Sequence, residues 1–411
     1  MNTGLQVKID RYVGRVACIL LRMLVQVTGK LLRIDHKLDR NFDRIVVCKF
    51  KGMGSIVQAS AMLEALKKQF PQSELVFVST KANAGILNAY PQLIDRQLLL
   101  NDSGVLSLLK SIVHLLWKLW RFRPQVYIDL EVYSNFSSLI CTLSAATNRI
   151  GFYKSDKDYR SGLYTHLMYY NIKAPLKQIY LQMARLTGEI SEDVRLVKPA
   201  YNREDALAEL EAAGLTAKRY WVVNPNASDL RLERRWGAEQ FVALVDALLD
   251  EQSALQVVFC GSPSERAYVS SIEMQCKNRT RILNLAGKTG FNALLCLIDN
   301  AERVITNDTG PLHLSLAFDK EVIGLFGPCS PAQYGQMERC TAVYRNVYCS
   351  PCVHEFAIPP CRGNNQCMKQ IALAEVLGAV EASINHSAAP KETAIAYSIS
   401  QETLGFVNNR T

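Results

Sequence analysis

From about Arg44 the sequence alternates short β-branched runs with amphipathic stretches, the pattern of βα units laid around a parallel sheet. Ile45–Phe50 reads as a buried strand and Lys51-Gly52-Met53-Gly54-Ser55 as a turn. Ile56, Ala59, Leu63, Leu66 and Phe70 then mark one face of a helix that stops at Pro71. Glu74–Ser79 and Val126–Leu130 read as further strands, with a cationic helix over Leu108–Trp120 between them. The stretch from about Gly188 to Lys218 is polar, rich in Glu and Ala and reads as helical; it marks a junction. Beyond it the alternation restarts, with strands at Tyr220–Val223, Leu255–Phe259, Ile282–Leu285, Val304–Ile305 and Val322–Phe326. The pattern predicts two doubly wound α/β domains, with ligands at the carboxyl ends of the strands.

Ahead of this alternation, Val16, Leu20, Met23, Val27 and Leu31 fall on one helical face, and Arg11, Arg15, Arg22, Lys30 and Arg33 supply cations. Charges interrupt every run of about 18 residues, so a bilayer-spanning helix is not expected. The segment reads either as a helix lying in the headgroup region of an anionic leaflet or as one packed on the protein's own surface. From His386 the sequence is polar and without periodicity, and reads as a loosely ordered tail.

A chain of 411 residues exceeds what one core of about 250 to 300 residues accommodates, which agrees with two domains. Forty-seven Lys and Arg against 38 Asp and Glu give a formal charge of +9, favouring an anionic partner. No basic stripe interleaved with aromatics, zinc-finger spacing or helix-turn-helix signature appears, so nucleic acid is not expected. Cys48, Cys141, Cys260 and Cys296 sit in apolar strands and helices and read as reduced core residues, which implies a cytosolic compartment. Cys349-x2-Cys352-x8-Cys361-x5-Cys367 can be read as a tetrahedral structural metal site or as free or reversibly paired thiols; no metal is assigned to it.

Four strand-to-helix turns carry the candidate chemistry. Thr306-Asn307-Asp308-Thr309-Gly310-Pro311-Leu312-His313 aims backbone N–H groups and a helix dipole at an anion, with His313 one turn later able to donate to a phosphate oxygen. The same run also suits a plain helix start, with an Asp N-cap and His313 hydrogen-bonded in the core. Asn224-Pro225-Asn226-Ala227-Ser228, followed by Arg231, Arg234, Arg235 and Trp236, joins small polar donors to fixed positive charge suited to a diphosphate leaving group; a solvated basic loop is the alternative. Glu265, after Gly261, either accepts from ribose hydroxyls or serves as a capping-box or helix-dipole residue. Gly52 and Gly54 form the matching turn of the first domain, without the third glycine or the acid of a dinucleotide fingerprint.

Taken together, Gly52-Met53-Gly54 with the helix around Ala61–Leu66, Arg149-Ile150-Gly151-Phe152, Arg234-Arg235-Trp236, Gly261 with Glu265, Thr306–His313 and Leu325-Phe326-Gly327-Pro328 resemble glycosyltransferase family 9. This is the ADP-heptose:lipopolysaccharide heptosyltransferase family, and the likeness covers about residues 43 to 375. The resemblance implies a GT-B fold, two Rossmann-like domains facing a central cleft, and inverting sugar transfer without a metal. It implies that Asp308, Thr309, Gly310 and His313 contact the donor diphosphate, that Arg234 is a basic donor-binding position and that Glu265 lies near the nucleoside. The family usually places an aspartate, as general base, where this chain has Ser55. Glu131, with Asp129 two residues earlier, is the candidate replacement, because a carboxylate within reach of the acceptor hydroxyl is what the reaction requires. Capping a loop or pairing with Arg149 is the other use these two carboxylates would have.

The expected organisation is a membrane-surface helical segment over 1–42, an acceptor-binding Rossmann-like domain over 43–200, a nucleotide-sugar-binding one over 201–385 and the tail over 386–411. Gly52, Gly54, Ser55, Asn226, Ser228, Arg234, Glu265, Asp308, Thr309, Gly310 and His313 are the binding candidates, and Glu131 and Asp129 the catalytic ones. The expected partners are a nucleotide sugar, with an ADP-sugar favoured, a lipid-linked or phosphorylated glycan and an anionic membrane surface. The expected place is the cytoplasmic face of a bacterial inner membrane. A catalytically inactive sugar-nucleotide-binding or scaffold protein of the same fold is the rival reading that Ser55 raises.

Overall fold

The computed structural model describes residues 10–32, 34–154, 160–191, 194–227, 231–335, 338–353, 359, 361–386 and 407–408. These form two compact units. One holds the described residues as far as 171 together with 176–197 and 407–408; the other holds 172–175 and the described residues from 198 to 386.

The first unit is a parallel sheet of β1 (Arg44–Cys48), β2 (Glu74–Thr80), β3 (Arg96–Leu100), β4 (Val126–Asp129), β5 (Asn148–Tyr153) and β6 (His166–Tyr169), in the order β6-β5-β4-β1-β2-β3. Val407–Asn408 pairs antiparallel with β6. Its helices are α1 (Arg15–Leu32), α2 (Met53–Gln69), α3 (Ala84–Asn88), α4 (Val105–Phe122), α5 (Asn135–Leu143) and α6 (Leu176–Arg185). Strands β1 and β4 are buried almost end to end, as expected of a parallel sheet covered on both faces. Cys18 of α1, Leu115 and Leu119 of α4, and Ile140 and Cys141 of α5 share one core with Val46, Cys48, Val76 and Val78, so these three helices cover the same face of the sheet.

The second unit begins with α7 (Arg203–Ala212) and carries β7 (Tyr220–Asn224), α8 (Ala238–Glu251), β8 (Gln256–Phe259), α9 (Arg266–Gln275), β9 (Ile282–Asn284), α10 (Phe291–Asn300), β10 (Arg303–Asn307), α11 (Gly310–Ala317), β11 (Glu321–Phe326), α12 (Pro331–Tyr334), β12 (Cys340–Tyr344), α13 (Gln366–Lys369) and α14 (Leu373–His386). All six strands run parallel in the order β12-β11-β10-β7-β8-β9. Trp221, Trp236, Phe241, Leu244 and Phe259 anchor its core.

Both sheets reverse their strand order at one place, between β1 and β4 in the first unit and between β7 and β10 in the second. Crevices at the carboxyl ends of such strand pairs are where open α/β sheets bind ligands. The Gly52 turn and Glu131 leave β1 and β4, and Asn224 and Asn307 end β7 and β10.

Several sequence expectations change. Among the described residues of the stretch expected to be helical from Gly188 to Lys218, only Arg203–Ala212 are, started by Asn202, whose side chain accepts from Glu204 and Asp205 N–H, and followed by Gly214 at φ 97°. Strands β3, β5, β6 and β12 are additions, short segments whose polar residues mask the period. On α1, the face bearing Val16, Leu20, Met23, Val27 and Leu31 is the exposed one, while Cys18 on the other side is fully buried against α5. Packing on the protein therefore uses the opposite face from the one the sequence marks. By length and composition alone, Tyr12–Gly29 would be long and apolar enough to cross a membrane, with Arg15 and Arg22 within it. Arg33, Ser228 and most of the tail lie outside the described residues, as do the side chains of Arg11 and Lys30.

Candidate functional site

In the second unit, the end of β10 is tied to the end of β7 by amides. Asn307 donates to the carbonyls of Pro225 and Asn226, both at 3.0 Å, and accepts the Trp236 N–H at 3.1 Å. Asn224 donates to the Thr306 and Thr309 hydroxyls at 3.0 and 2.9 Å. Asn226 donates to Asn224 Oδ1 and to the Cys260 carbonyl. A Cβ at Gly261, two residues beyond β8, would stand 2.6 Å from that Asn226 amide, so any larger residue there would displace Asn226. One network thus fixes three of the four turns singled out in the sequence.

Above it, Thr309 precedes α11 with extended backbone, and Gly310 is the first helical residue, which presents the helix amino terminus to the crevice. Arg234 Nη1 donates to the Asp308 carbonyl at 3.1 Å and lies 3.8 Å from Asp308 Oδ2; His313 Nε2 lies 3.7 Å from Oδ1. Both Asp308 carboxylate oxygens are buried, and neither accepts a hydrogen bond from nitrogen or oxygen. Burial pulls His313 down to about 4, against the opposing charge of Asp308, so the imidazole is neutral near pH 7. Asn226, Arg234, Asp308, Thr309, Gly310 and His313 therefore converge. Glu265 does not join them through its Oε2, which accepts from Ser262 N and Oγ at 2.7 and 2.8 Å; of the alternatives open in the sequence, the capping box is the one formed.

In the first unit, Gly52 at φ 90° begins α2, and its carbonyl accepts from Ser55 and Ile56. Ser55 is half-buried, with the Tyr180 phenol near it. Glu131 reaches the same turn from β4: Oε1 accepts from Phe50 and Lys51 N–H at 2.9 and 3.0 Å, and Oε2 from Lys49 Nζ at 3.0 Å. Burial opposes this charge, but the Lys49 ammonium and the two backbone donors outweigh it and hold the carboxyl below its usual range. Asp129 is 0% exposed, and its oxygens accept from Arg160, Ser137, Tyr164 and the Glu131 N–H, an arrangement that ties down the loop after β4. Its partner is Arg160; Arg149 instead donates to the carbonyls of Ala146 and Leu163.

Sequence reasoning missed two groups here. Arg160 closes the buried network from 31 residues away. Asp10 accepts from Asn135 and Phe136 N–H at the start of α5 and stands near Lys51 and Glu131; burial raises it. Among the described residues no group of three or more His, Cys, Asp or Glu is arranged to hold a metal. Among the described residues no disulfide joins any two of the twelve cysteines.

Two parallel doubly wound sheets, one with a helix amino terminus at its switch point, define an α/β protein of the GT-B class. The model of glycosyltransferase family 9 (heptosyltransferase) matches residues 128–360, and the chain belongs to this family and is a glycosyltransferase. It is 24% identical over 316 residues to lipopolysaccharide core heptosyltransferase OpsX of Haemophilus influenzae, covering 73% of this chain and 84% of the relative. In fold it is similar to a family 9 glycosyl transferase from Veillonella parvula (TM-score 0.71, 19% identity, 85% and 99% of the two chains). It is also similar to ADP-heptose LPS heptosyltransferase II of Escherichia coli (TM-score 0.67, 18% identity, 84% and 100%).

Proposed function

We propose that this glycosyltransferase moves a heptose or related sugar, with inversion, from an ADP-sugar to a lipopolysaccharide-type, lipid-linked glycan at the cytoplasmic face of a bacterial inner membrane. The observation that carries the donor side is the buried Asp308 carboxylate, accepting no N–H or O–H donor, at the amino terminus of α11 with Arg234 and His313 beside it. Burying a carboxylate without hydrogen-bond donors is costly even with the Arg234 guanidinium 3.8 Å away. Sugar hydroxyls would supply the donors it lacks, while the Thr309 and Gly310 N–H groups and the Arg234 guanidinium take the diphosphate. Fixed positive charge at that point neutralises the leaving group, which is why we read the transfer as metal-independent. The names of the relatives support ADP-heptose as the donor and lipopolysaccharide as the acceptor.

On the acceptor side, Glu131 is our candidate proton acceptor. It holds the Gly52 turn where the family's usual aspartate is replaced by Ser55, and it is a carboxylate, 9% exposed, where Asp129 has no exposure. The test is nucleoside-diphosphate release by the purified chain from ADP-heptose with and without membrane glycolipid acceptor, in the presence of EDTA. Acceptor-dependent release that is lost in Asp308→Asn supports the reading. Nucleotide binding with no release for any donor would overturn it.

A further inference from the structure

Helix α4 carries a second apolar face that the fold leaves open. Leu115, Leu119 and Phe122 point into the core, whereas Val105, Leu106, Leu109, Val113, Trp117 and Trp120 are all about half exposed or more, Leu106 at 74% and Val113 at 70%. Their spacing places them on one side of the helix. Isolated exposed apolar residues need no explanation, but a continuous stripe with two tryptophans marks an interaction surface. Trp120 is tethered by its indole N–H to the Leu143 carbonyl at 2.7 Å, and Arg121 lies over the Trp117 ring, so both indoles are held in place.

At the carboxyl end of this helix lies an open hollow of about 740 Å³, lined by Arg44, Arg96, Lys118, Arg121 and Arg123 against a single carboxylate, Glu74. Arg44, Glu74 and Arg96 are the first residues of β1, β2 and β3, so the hollow sits at the opposite edge of the sheet from the Gly52 turn and is separate from that site. Five cations concentrated beside two tryptophans and an aliphatic stripe fit neither a neutral protein groove nor a sugar nucleotide, which would bring no apolar body to cover the helix.

We propose that α4 and the exposed face of α1 together form the membrane-docking face of the first unit, with α4 seated in the headgroup region of an anionic bilayer and the cationic hollow taking phospholipid phosphates. The two helices cover the same face of the sheet, and each turns an apolar stripe outward. Trp117 and Trp120 sit at the depth where amphipathic rings are favoured, and Lys118 and Arg121 supply the attraction to anionic lipid. This deepens the membrane-side reading of the acceptor given above and rests on it.

The four tryptophans make the test direct, because Trp221 and Trp236 are buried in the second unit and only Trp117 and Trp120 can meet lipid. Full-length protein is mixed with phosphatidylethanolamine/phosphatidylglycerol vesicles carrying brominated acyl chains, and with phosphatidylcholine vesicles as control. Quenching and a blue shift are expected with the anionic vesicles only. Vesicle affinity is expected to fall roughly 30-fold in Lys118→Gln/Arg121→Gln and to be lost in Val113→Glu/Trp117→Glu, with the thermal transition unchanged. Nucleotide release with detergent-dispersed acceptor separates the two readings: it stays at the wild-type rate in these variants if only docking is disturbed, whereas its absence in wild type would strike the transfer reading alone. Vesicle binding without tryptophan quenching, equal binding by the variants, or self-association abolished by the same substitutions in place of vesicle binding would each overturn the inference.

Discussion

Glu131 and Lys51 lie 80 residues apart in sequence, yet the Lys51 N–H donates to Glu131 Oε1 at 3.0 Å, so a carboxylate two residues beyond β4 shapes the turn that begins α2. Glu131→Gln keeps an amide oxygen for the Phe50 and Lys51 donors but removes the charge that pairs with Lys49. The expected outcome is a fall in kcat of roughly 10²- to 10⁴-fold with donor affinity unchanged. Single-turnover kinetics beside a donor-binding titration checks it. Wild-type turnover in this variant would assign the proton to another group.

Asp129 and Arg160 pair at 2.9 Å with side chains 0 and 1% exposed. Removing one partner strands the other charge in the core. Arg160→Ala is therefore expected to lose about 3 to 5 kcal/mol of stability by urea unfolding, while kcat per folded molecule at low temperature stays within a few-fold. A selective loss of kcat at unchanged stability would give Asp129 a direct role after all.

What the sequence made legible, and what it did not, follows from range. The run from Thr306 to His313 is a local strand-turn-helix signal, and residues a few positions apart converge in the structure as their spacing suggests. The switch-point crevices follow from the strand order, which no single segment encodes. Arg160, Asp10 and the Asn307 bonds to Pro225 and Asn226 join elements 31 to 126 residues apart, and such partners leave no mark on the local pattern. Glu265 had two compatible uses at one spacing, and only the position of its Oε2 shows the capping box. On α1 and α4 the period gives an apolar face without saying whether protein covers it; burial distinguishes the two sides.

Gly261 is fixed by the Asn226 amide rather than by its own backbone angles. In Gly261→Ala the new Cβ would meet Asn226 Nδ2 at 2.6 Å and Ala286 Cβ at 3.3 Å. Asn226 would have to give up its bonds to Asn224 Oδ1 and the Cys260 carbonyl, and Asn224 in turn holds Thr309. The expected cost is about 1 to 3 kcal/mol, together with donor affinity weakened by roughly tenfold or more. Calorimetric titration with ADP checks the second part, and unaltered affinity would detach the Asn226 network from the donor site.

His313 gives a pH signature of defined sign. Its folded pKa is about 4 against 6.5 for an ordinary histidine, the shift coming from burial. Between these values the unfolded chain binds a proton that the folded chain does not, so stability is full above about pH 6.5 and declines as the pH falls towards 4. For this residue alone the loss between pH 7.5 and pH 5 is about 2 kcal/mol. His166, pushed down to about 4 in the first unit, contributes in the same direction and is common to wild type and variant. Subtracting the unfolding free energies of His313→Gln from those of wild type at each pH isolates His313, and the difference is expected to shift by about 2 kcal/mol in favour of the variant at pH 5. A difference independent of pH would mean that His313 takes up its proton in the folded protein at the same pH as in the unfolded chain, and burial would then not be what keeps the imidazole beside Asp308 neutral.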